Sequence, residues 1–287
     1  MTAVLHVEQA DSIWTFALSR PEKMNALSSE LVEALIEAVA DAHARGARLL
    51  VFKGEGKNFS AGFDFGNLEE SSDGDLLLRF VRVESLLHMV ATSPCATLAL
   101  AHGRNFGAGV DLFGACRRRY CTSAATFRMP GLKFGIVLGT RRFASLVGRE
   151  AATGILETAR TFGAEEARTI GFAAVAEIEG WPQIVADAAL AAKVRFCYVD
   201  AESCRAAFGH FPPSGCFVAI PAEGAHLGCA NGDIADMRRD QPRRGGLDCA
   251  TTDGKDSSAG SDFHTRAAIR ALQALHARAR SQGARSA

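Results

Sequence analysis

The 287-residue sequence lacks several features that mark specialised classes of protein. Its 32 Lys and Arg balance 32 Asp and Glu, so no net charge attracts nucleic acid or anionic lipid. No uninterrupted apolar run reaches the roughly 18 residues that a membrane-spanning helix needs. The amino-terminal residues include acidic side chains where a secretory signal would have a basic start and a continuous apolar core. We therefore expect a cytoplasmic globular protein without a nucleic-acid or membrane partner.

Paired cysteines and nucleotide-binding motifs are also missing. None of the eight cysteines forms a Cys-x-x-Cys pair, and Cys116 and Cys121 lack a neighbouring pair that would complete a metal site. No Gly-x-Gly-x-x-Gly or Walker motif occurs, and no Ser, His and Asp stand out by spacing as a catalytic triad. The sequence predicts reduced structural thiols, no metal and no cofactor.

The hydrophobic pattern of residues 3–195 predicts an α/β fold. Alternating residues predict strands over 3–8 and 12–18, joined at Ala10 and Asp11, and a helix then runs from an N-cap at Ser28 to Gly46. Because strands alternate with helices, the sheet should be largely parallel. The remaining predicted elements are strands over 47–53, 96–101 and 173–178, and helices over 75–91, 142–148, 150–159, 164–170 and 182–195.

The composition changes after the predicted core of residues 1–195. Residues 197–262 are rich in Gly, Pro, Cys and Ser, which predicts a linker or an irregular segment within an atypical carboxy-terminal region, 196–287. A final helix is expected over 264–281. Its narrow apolar stripe suits docking on another surface, and a solvated tail helix fits the pattern equally well.

Two glycine-containing turns are the strongest candidates for chemistry. Residues 60–64 read Ser-Ala-Gly-Phe-Asp, and residues 106–111 read Phe-Gly-Ala-Gly-Val-Asp. Each follows an apolar strand, and glycine permits a close backbone approach that leaves N–H groups unpaired. In either turn alone, the glycines would more simply serve a tight connection between two elements. The two turns together indicate a site for a developing anion.

These turns belong to a longer series of segments that resembles the enoyl-CoA hydratase/isomerase (crotonase) superfamily. The resemblance covers roughly residues 3–195. The segments that carry it are Leu18–Leu27, Phe59–Asp64, Gly107–Leu112, Phe127–Gly135, Thr161–Ala167 and Gly171.

The resemblance implies a spiral of ββα units that binds acyl-CoA thioesters, commonly as a homotrimer or hexamer. By motif position, the backbone N–H groups of Phe63 and Ala108 should hold the thioester oxygen, where fixed amides stabilise an enolate without reorganising. The Phe63 ring should narrow or reshape the acyl pocket. The residues expected around coenzyme A or the substrate are Lys23, Met24, Ala61, Asp64 and Gly107, with a structural role favoured for Asp64.

The acids that hydratases of the family use are only partly present. Asp111 occupies the first acid position, whereas Gly131 occupies the second and supplies no proton-transfer group. No Asp or Glu lies between Leu112 and Arg149, and the loop at 135–142 is about three residues shorter than the family pattern. Asp111 is thus either an acid/base with a pKa raised by burial or a carboxylate that the helix dipole favours.

Three functions remain open at this level. The leading one is an acyl-CoA lyase or isomerase of fatty acid metabolism in which Asp111 moves a proton. The alternatives are an acyl-CoA-binding protein that has lost catalysis, and a family member of the decarboxylase or hydrolase type. Lesser candidates for proton transfer are Glu84, His88 and His102.

Overall fold

The computed structural model describes residues 3–66 and 68–192, together with the backbone of two strands at 194–199 and 216–221. The strands are β1 (Leu5–Ala10), β2 (Ile13–Leu18), β3 (Leu49–Gly54), β4 (Ala96–Ala101), β5 (Arg104–Phe106), β6 (Arg118–Cys121), β7 (Thr126–Arg128), β8 (Thr161–Gly163), β9 (Ala174–Val175), β10 (Val194–Val199) and β11 (Cys216–Pro221). The helices are α1 (Ser29–Ala44), α2 (Asp73–Ala91), α3 (Ala108–Ala115), α4 (Thr140–Val147), α5 (Arg149–Thr158), α6 (Ala164–Thr169) and α7 (Trp181–Ala192). Short 3-10 helices cover Pro21–Lys23, Gly131–Phe134 and Ile178–Gly180.

A six-stranded sheet forms the centre of this core, in the order β1-β2-β3-β4-β6-β9. β1 and β2 form an antiparallel hairpin, and every later pairing in the sheet is parallel. The in-register pairing of Phe16 with Phe52 and of Phe52 with Ala99 places buried side chains on neighbouring strands. The predicted α/β class with a largely parallel sheet is therefore confirmed.

A second sheet of three short strands, in the order β5-β7-β8, lies in the same core. β5 pairs with β7 in parallel, and β7 pairs with β8 antiparallel. Since β5 leads into α3 through Gly107, this sheet fixes the point at which the second glycine turn begins.

The first two helices begin at side-chain caps. Ser28 Oγ accepts the Leu31 N–H at 3.2 Å, as predicted for an N-cap. Ser72 and Asp75 form a reciprocal capping box at the start of α2. α1 and α2 pack against each other, and α2 also packs against α3, so the caps help to fix a helix pair of which one member contacts α3.

Phenylalanine dominates the core behind α3. The ring of Phe113 lies 5.3 Å from that of Phe127 and 5.4 Å from that of Phe172, and all three side chains are fully buried. Rings at these separations pack edge-to-face or tilted, as aromatic quadrupoles favour. Through Phe113, the cluster thus anchors α3 in the core.

Several sequence-based boundaries need correction. The first hairpin turns at Asp11 and Ser12 because β1 extends to Ala10, and Asp11 adopts a left-handed conformation with φ 52°. β9 is shorter than the strand predicted over 173–178 because the chain enters a 3-10 helix at Ile178. The helix predicted over 182–195 ends at Ala192, and a strand begins at Val194.

The segment predicted to be a linker contains paired strands. β10 and β11 form an antiparallel pair, with Val194 opposite Pro221 and Val199 opposite Cys216. Backbone pairing therefore organises part of a segment whose composition indicated irregular structure. The helix predicted over 264–281 lies outside the described residues. Across the described part of the chain, no helix is both long and apolar enough to cross a membrane.

Candidate active site

The two glycine turns are in direct backbone contact. The Phe106 N–H donates to the Ser60 carbonyl at 3.0 Å, immediately before the second turn. A Cβ added to Gly62 would lie 2.3 Å from the Phe106 oxygen, and one added to Gly109 would lie 2.6 Å from the Ser60 oxygen. Gly62 also has φ +85°, where L side chains are strained. Glycine at 62 and 109 therefore lets the two turns meet.

This contact leaves one backbone amide of each turn without an acceptor. The Leu27 N–H donates to the Gly62 carbonyl at 2.7 Å, and the Asp64 N–H donates to the Leu27 carbonyl at 3.3 Å, so both neighbours of Phe63 are paired. Ala108 is the first residue of α3, where a helical N–H has no intrahelical partner. Within the described chain, neither the Phe63 N–H nor the Ala108 N–H donates a hydrogen bond.

Both residues line one solvent-open cleft. Among the described residues that line it, Asp111 is the only ionisable side chain, and most of the others are apolar. The lining consists of Ala61, Phe63, Phe65, Phe80, Phe106, Gly107, Ala108, Asp111, Met129, Pro130, Gly131, Leu132, Phe134, Ile136, Leu138, Gly139, Thr140 and Leu156. An apolar cleft with a few convergent polar groups is typical of a small-molecule site.

Asp111 lies in the first turn of α3 with 9% of its surface exposed. Its Oδ1 atom is buried and makes no hydrogen bond of acceptable geometry within the described chain. Burial raises the pKa of Asp111 to about 7, against an opposing effect of Arg142 and with reinforcement from Glu84. A carboxylate held mainly by the helix dipole would have a lowered pKa, so burial dominates here.

Glu84 on α2 and Arg142 on α4 form an ion pair that acts on Asp111. Arg142 Nη2 donates to Glu84 Oε1, while Arg142 Nη1 and Glu84 Oε2 are buried without a hydrogen-bond partner in the described chain. The sequence offered Glu84 only as a lesser candidate and did not single out Arg142. No local signal connects them, because they are 58 residues apart.

The short loop after Gly131 fills the place where a second acid side chain would begin. The Ile136 N–H donates to the Gly131 carbonyl at 3.0 Å, and a Cβ added to Gly131 would lie 2.7 Å from the Ile136 oxygen. At the end of the same loop, a Cβ added to Gly139 would lie 1.9 Å from Asp111 Oδ1. The missing acid and the shortened loop are therefore parts of one local structure.

The residues expected around coenzyme A divide into two groups. Ala61 and Gly107 line the cleft, and Met24 lies beside it because its carbonyl accepts the Ala61 N–H at 2.8 Å. Lys23, exposed in a 3-10 helix, and Asp64 are not part of the lining. Their contact with coenzyme A stays a prediction.

Asp64 holds the first turn. It accepts hydrogen bonds from Arg20 at 2.8 Å and from the Gly66 N–H at 2.9 Å. Burial acts to raise the pKa of Asp64, but these two partners and the charge of Arg79 together outweigh burial and lower it. Its carboxylate therefore fits the structural role favoured from the sequence.

The two histidines lie apart from the cleft. His102 Nε2 makes a hydrogen bond with the Gly56 carbonyl at 2.9 Å, and His88 is exposed on α2. Neither contributes to the cleft lining.

Comparison with known proteins identifies the family. The family model for enoyl-CoA hydratase/isomerase matches residues 8–192. The chain belongs to the enoyl-CoA hydratase/isomerase family. A protein of Mycobacterium tuberculosis described as an enoyl-CoA hydratase is 32% identical over 190 residues, which covers 64% of this chain and 76% of that protein. The human mitochondrial Δ(3,5)-Δ(2,4)-dienoyl-CoA isomerase is 31% identical over 209 residues, or 66% of this chain and 59% of that protein.

Solved structures of the family share the fold. A crystal structure described as an enoyl-CoA hydratase/isomerase from Bordetella parapertussis superposes with a TM-score of 0.66 and 61% identity, covering 67% of this chain and 80% of that one. The crotonase fold predicted from the sequence is thus confirmed, and the chain is an acyl-CoA enzyme of this family. The relatives include both hydratases and an isomerase, so family membership alone leaves the reaction open.

Proposed function

We propose that this protein moves a double bond within an enoyl-CoA thioester, with Asp111 as the acid/base. The thioester oxygen accepts hydrogen bonds from the Phe63 and Ala108 N–H groups as negative charge develops on it. The chemistry uses no metal or cofactor beyond the coenzyme A of the substrate. The single observation that carries the proposal is that one cleft contains both unpaired amides and a sole ionisable side chain, Asp111.

Isomerisation suits a cleft with one acid. In a 3-enoyl thioester, the Asp111 carboxylate removes a proton from Cα, and the electron pair delocalises through the carbonyl onto the thioester oxygen. The protonated Asp111 then returns that proton to Cγ, so the double bond moves into conjugation and no atom is gained or lost. A pKa of about 7 lets the same group accept and donate the proton near neutral pH.

Hydration is less well supported because it needs a group that activates water in addition to one that handles the Cα proton. Gly131 offers no side chain at the second acid position, and the Ile136 carbonyl lies against it. For the backbone amides, removal of a comparable donor typically costs about 3–4 kcal/mol of transition-state stabilisation. The Phe63 and Ala108 N–H groups therefore contribute to either reaction, whereas the presence of a single acid, Asp111, favours isomerisation.

The binding of coenzyme A and the assembly of the protein follow the family pattern in this proposal. Lys23 and Met24 approach the coenzyme A moiety from the loop beside the first turn, and Lys23 contributes through its charge. The assembly is a homotrimer or a hexamer, as the resemblance implies.

The test compares a 3-enoyl-CoA with crotonyl-CoA as substrates. We expect conversion of the 3-enoyl thioester to its 2-enoyl isomer and no hydration of crotonyl-CoA. Asp111→Asn should lower the isomerisation rate by about 10²–10⁴-fold while the thioester still binds. Glu33→Gln serves as the matched control, because that carboxylate pairs with Arg82 and does not line the cleft, so its loss should leave the rate unchanged.

Other outcomes identify other functions. Tight binding without turnover by the wild type would make the protein a catalytically inactive acyl-CoA binder. Turnover that survives in Asp111→Asn would remove Asp111 from the mechanism. Loss of carbon dioxide from a malonyl-type thioester would indicate a decarboxylase instead.

A further inference from the structure

One wall of the cleft is a continuous series of four phenylalanine rings. The rings of Phe63 and Phe80 are stacked, with centroids 4.4 Å apart and planes at 15°. The Phe65 ring meets Phe63 edge-on at 5.3 Å and 71°, and its other neighbour is Phe134 at 5.9 Å. α2, the first turn and the 3-10 helix at Gly131 each contribute to this series, which we call the phenyl wall (Phe80, Phe63, Phe65 and Phe134).

The phenyl wall is fixed where it meets the proposed oxygen site. Phe63 contributes both a wall ring and one of the unpaired amides, so the position of its ring is tied to that of its N–H. The Arg79 guanidinium lies 4.4 Å from the centroid of the Phe63 ring and donates to the Asp64 carbonyl. A ring held by a stacked neighbour and a cation is a preorganised surface rather than a mobile side chain.

The outer part of the phenyl wall is open. Phe65 is 46% exposed although it lies between two other rings. The cleft opposite offers few groups for a polar acyl substituent, since Asp111 and Thr140 are the only lining side chains with polar oxygens among the described residues. An acyl group that covers Phe65 must therefore be apolar along most of its length.

We propose that the phenyl wall selects thioesters whose acyl group ends in a flat aromatic ring, as in a 4-aryl-butenoyl thioester, whose Cγ can take up the proton in the proposed isomerisation. This inference rests on the proposed function, because the wall is adjacent to the amides that would hold the thioester oxygen. Offset-stacked and edge-to-face contacts are available to a planar ring and not to a saturated chain. Each such contact strengthens binding roughly two- to tenfold beyond the burial of apolar area.

The experiment is calorimetric titration of the full chain with cinnamoyl-CoA and trans-2-nonenoyl-CoA. The two ligands have the same number of acyl carbons and the same conjugated thioester, so they differ in the aryl ring. We expect cinnamoyl-CoA to bind about tenfold more tightly. Phe65→Leu and Phe134→Leu should each reduce that preference severalfold, because they remove a ring while keeping an apolar side chain.

Leu132→Ala is the matched control, since Leu132 lines the same cleft without belonging to the phenyl wall. This substitution should weaken the binding of both thioesters by similar factors and leave the ratio of their affinities unchanged. Equal or tighter binding of the nonenoyl thioester to the wild type would overturn the aromatic preference and leave the proposed function standing. A preference that persists in both Phe→Leu variants would also overturn it. Failure of both thioesters to bind would instead contradict the proposed function.

Discussion

Asp111 combines two features that seldom occur together, a carboxyl group with a pKa near neutrality and a position in a helix first turn. The helix dipole favours the ionised form there, but burial opposes it and prevails. The result is a group that can exchange a proton near neutral pH. This position destabilises the folded state above neutral pH, because the carboxylate is then ionised while it stays buried.

This destabilisation gives a prediction about stability and pH. The folded pKa of about 7 exceeds the ordinary value of 3.8, so ionisation of Asp111 destabilises the folded protein progressively as pH rises from about 4 to 7. The free energy of unfolding of Asp111→Asn, measured relative to wild type, should therefore be roughly 2–4 kcal/mol higher at pH 8 than at pH 4. Urea denaturation at the two pH values measures this change, and an equal difference at both would contradict the burial of a titrating Asp111.

The ion pair beside Asp111 gives a second prediction at the scale of single residues. Glu84 raises the pKa of Asp111, and Arg142 lowers it. Glu84→Gln should therefore lower the pKa of Asp111, whereas Arg142→Met should raise it. Carbon-13 NMR titration of labelled carboxyl groups measures both shifts without a substrate.

A purely structural role for the pair would not produce shifts of opposite sign. Glu33→Gln, which removes the partner of Arg82 on the same helix, is the control and should leave the pKa of Asp111 unchanged. Shifts in the same direction for both cleft variants would contradict the electrostatic account.

At the scale of elements, Gly62 in the first turn is required for a close backbone approach, whereas Gly46 after α1 is required only for its backbone conformation. Gly46 and Gly62 both have positive φ values, +73° and +85°. A Cβ on Gly46 would meet no atom within 4 Å, whereas one on Gly62 would meet the Phe106 carbonyl at 2.3 Å. Gly46→Ala should thus cost about 1 kcal/mol from backbone strain alone.

Gly62→Ala should cost at least about 2 kcal/mol more than Gly46→Ala, because two backbone segments must also separate. It should weaken thioester binding as well, since the Phe63 and Ala108 amides would move apart. Denaturant unfolding and calorimetry measure the two effects. Equal destabilisation by both variants would indicate that the turns are not in close contact.

The short loop after the 3-10 helix gives another prediction at this scale. Gly131→Glu restores the residue type that hydratases of the family carry, yet its Cβ would lie 2.7 Å from the Ile136 carbonyl. We expect the variant to lose about 1–3 kcal/mol of stability and to gain no hydration of crotonyl-CoA. Gly131→Ala tests the steric effect alone and should destabilise similarly. Measurable hydration by Gly131→Glu would show that the loop yields and that only the carboxylate was missing.

At the scale of the whole molecule, stability depends on a phenylalanine cluster that joins distant parts of the chain. Phe172 lies within 6 Å of four other rings, those of Phe113, Phe127, Phe143 and Phe162. Its backbone carbonyl also accepts a hydrogen bond from Arg119 at 2.6 Å. The cluster thus links α3, α4, β7 and β8, and both of these helices contribute residues to the cleft lining.

Phe172→Ala should therefore destabilise the protein by about 3–5 kcal/mol, as expected for a large cavity in a packed core. Leu190→Ala, at a position 65% exposed, is the control and should change stability by less than about 0.5 kcal/mol. Urea denaturation measures both values. A small effect of Phe172→Ala would indicate that the cluster relaxes and is not the structural centre of the core.

The sequence by itself determined the features that depend on local chemistry. Apolar periodicity and capping residues predicted α1, α2, β3 and β4 within about two residues, because each is specified by its own side chains. The carboxy-terminal strands β10 and β11 escaped prediction, since backbone pairing between separated segments leaves little trace in composition. The glycines located the two turns, and the resemblance to the enoyl-CoA hydratase/isomerase family named Phe63 and Ala108 as N–H donors, an assignment that stays a prediction.

Only the tertiary structure decided what surrounds those donors. Whether Asp111 is exposed or buried depends on the loop that reaches Gly139, and its proton affinity depends on Glu84 and Arg142 from two other helices. The phenyl wall assembles from α2, the first turn and the 3-10 helix at Gly131, so no single sequence window contains it. Long-range packing controls desolvation and ring contacts, and those two effects set the proton affinity of Asp111 and the composition of the cleft wall.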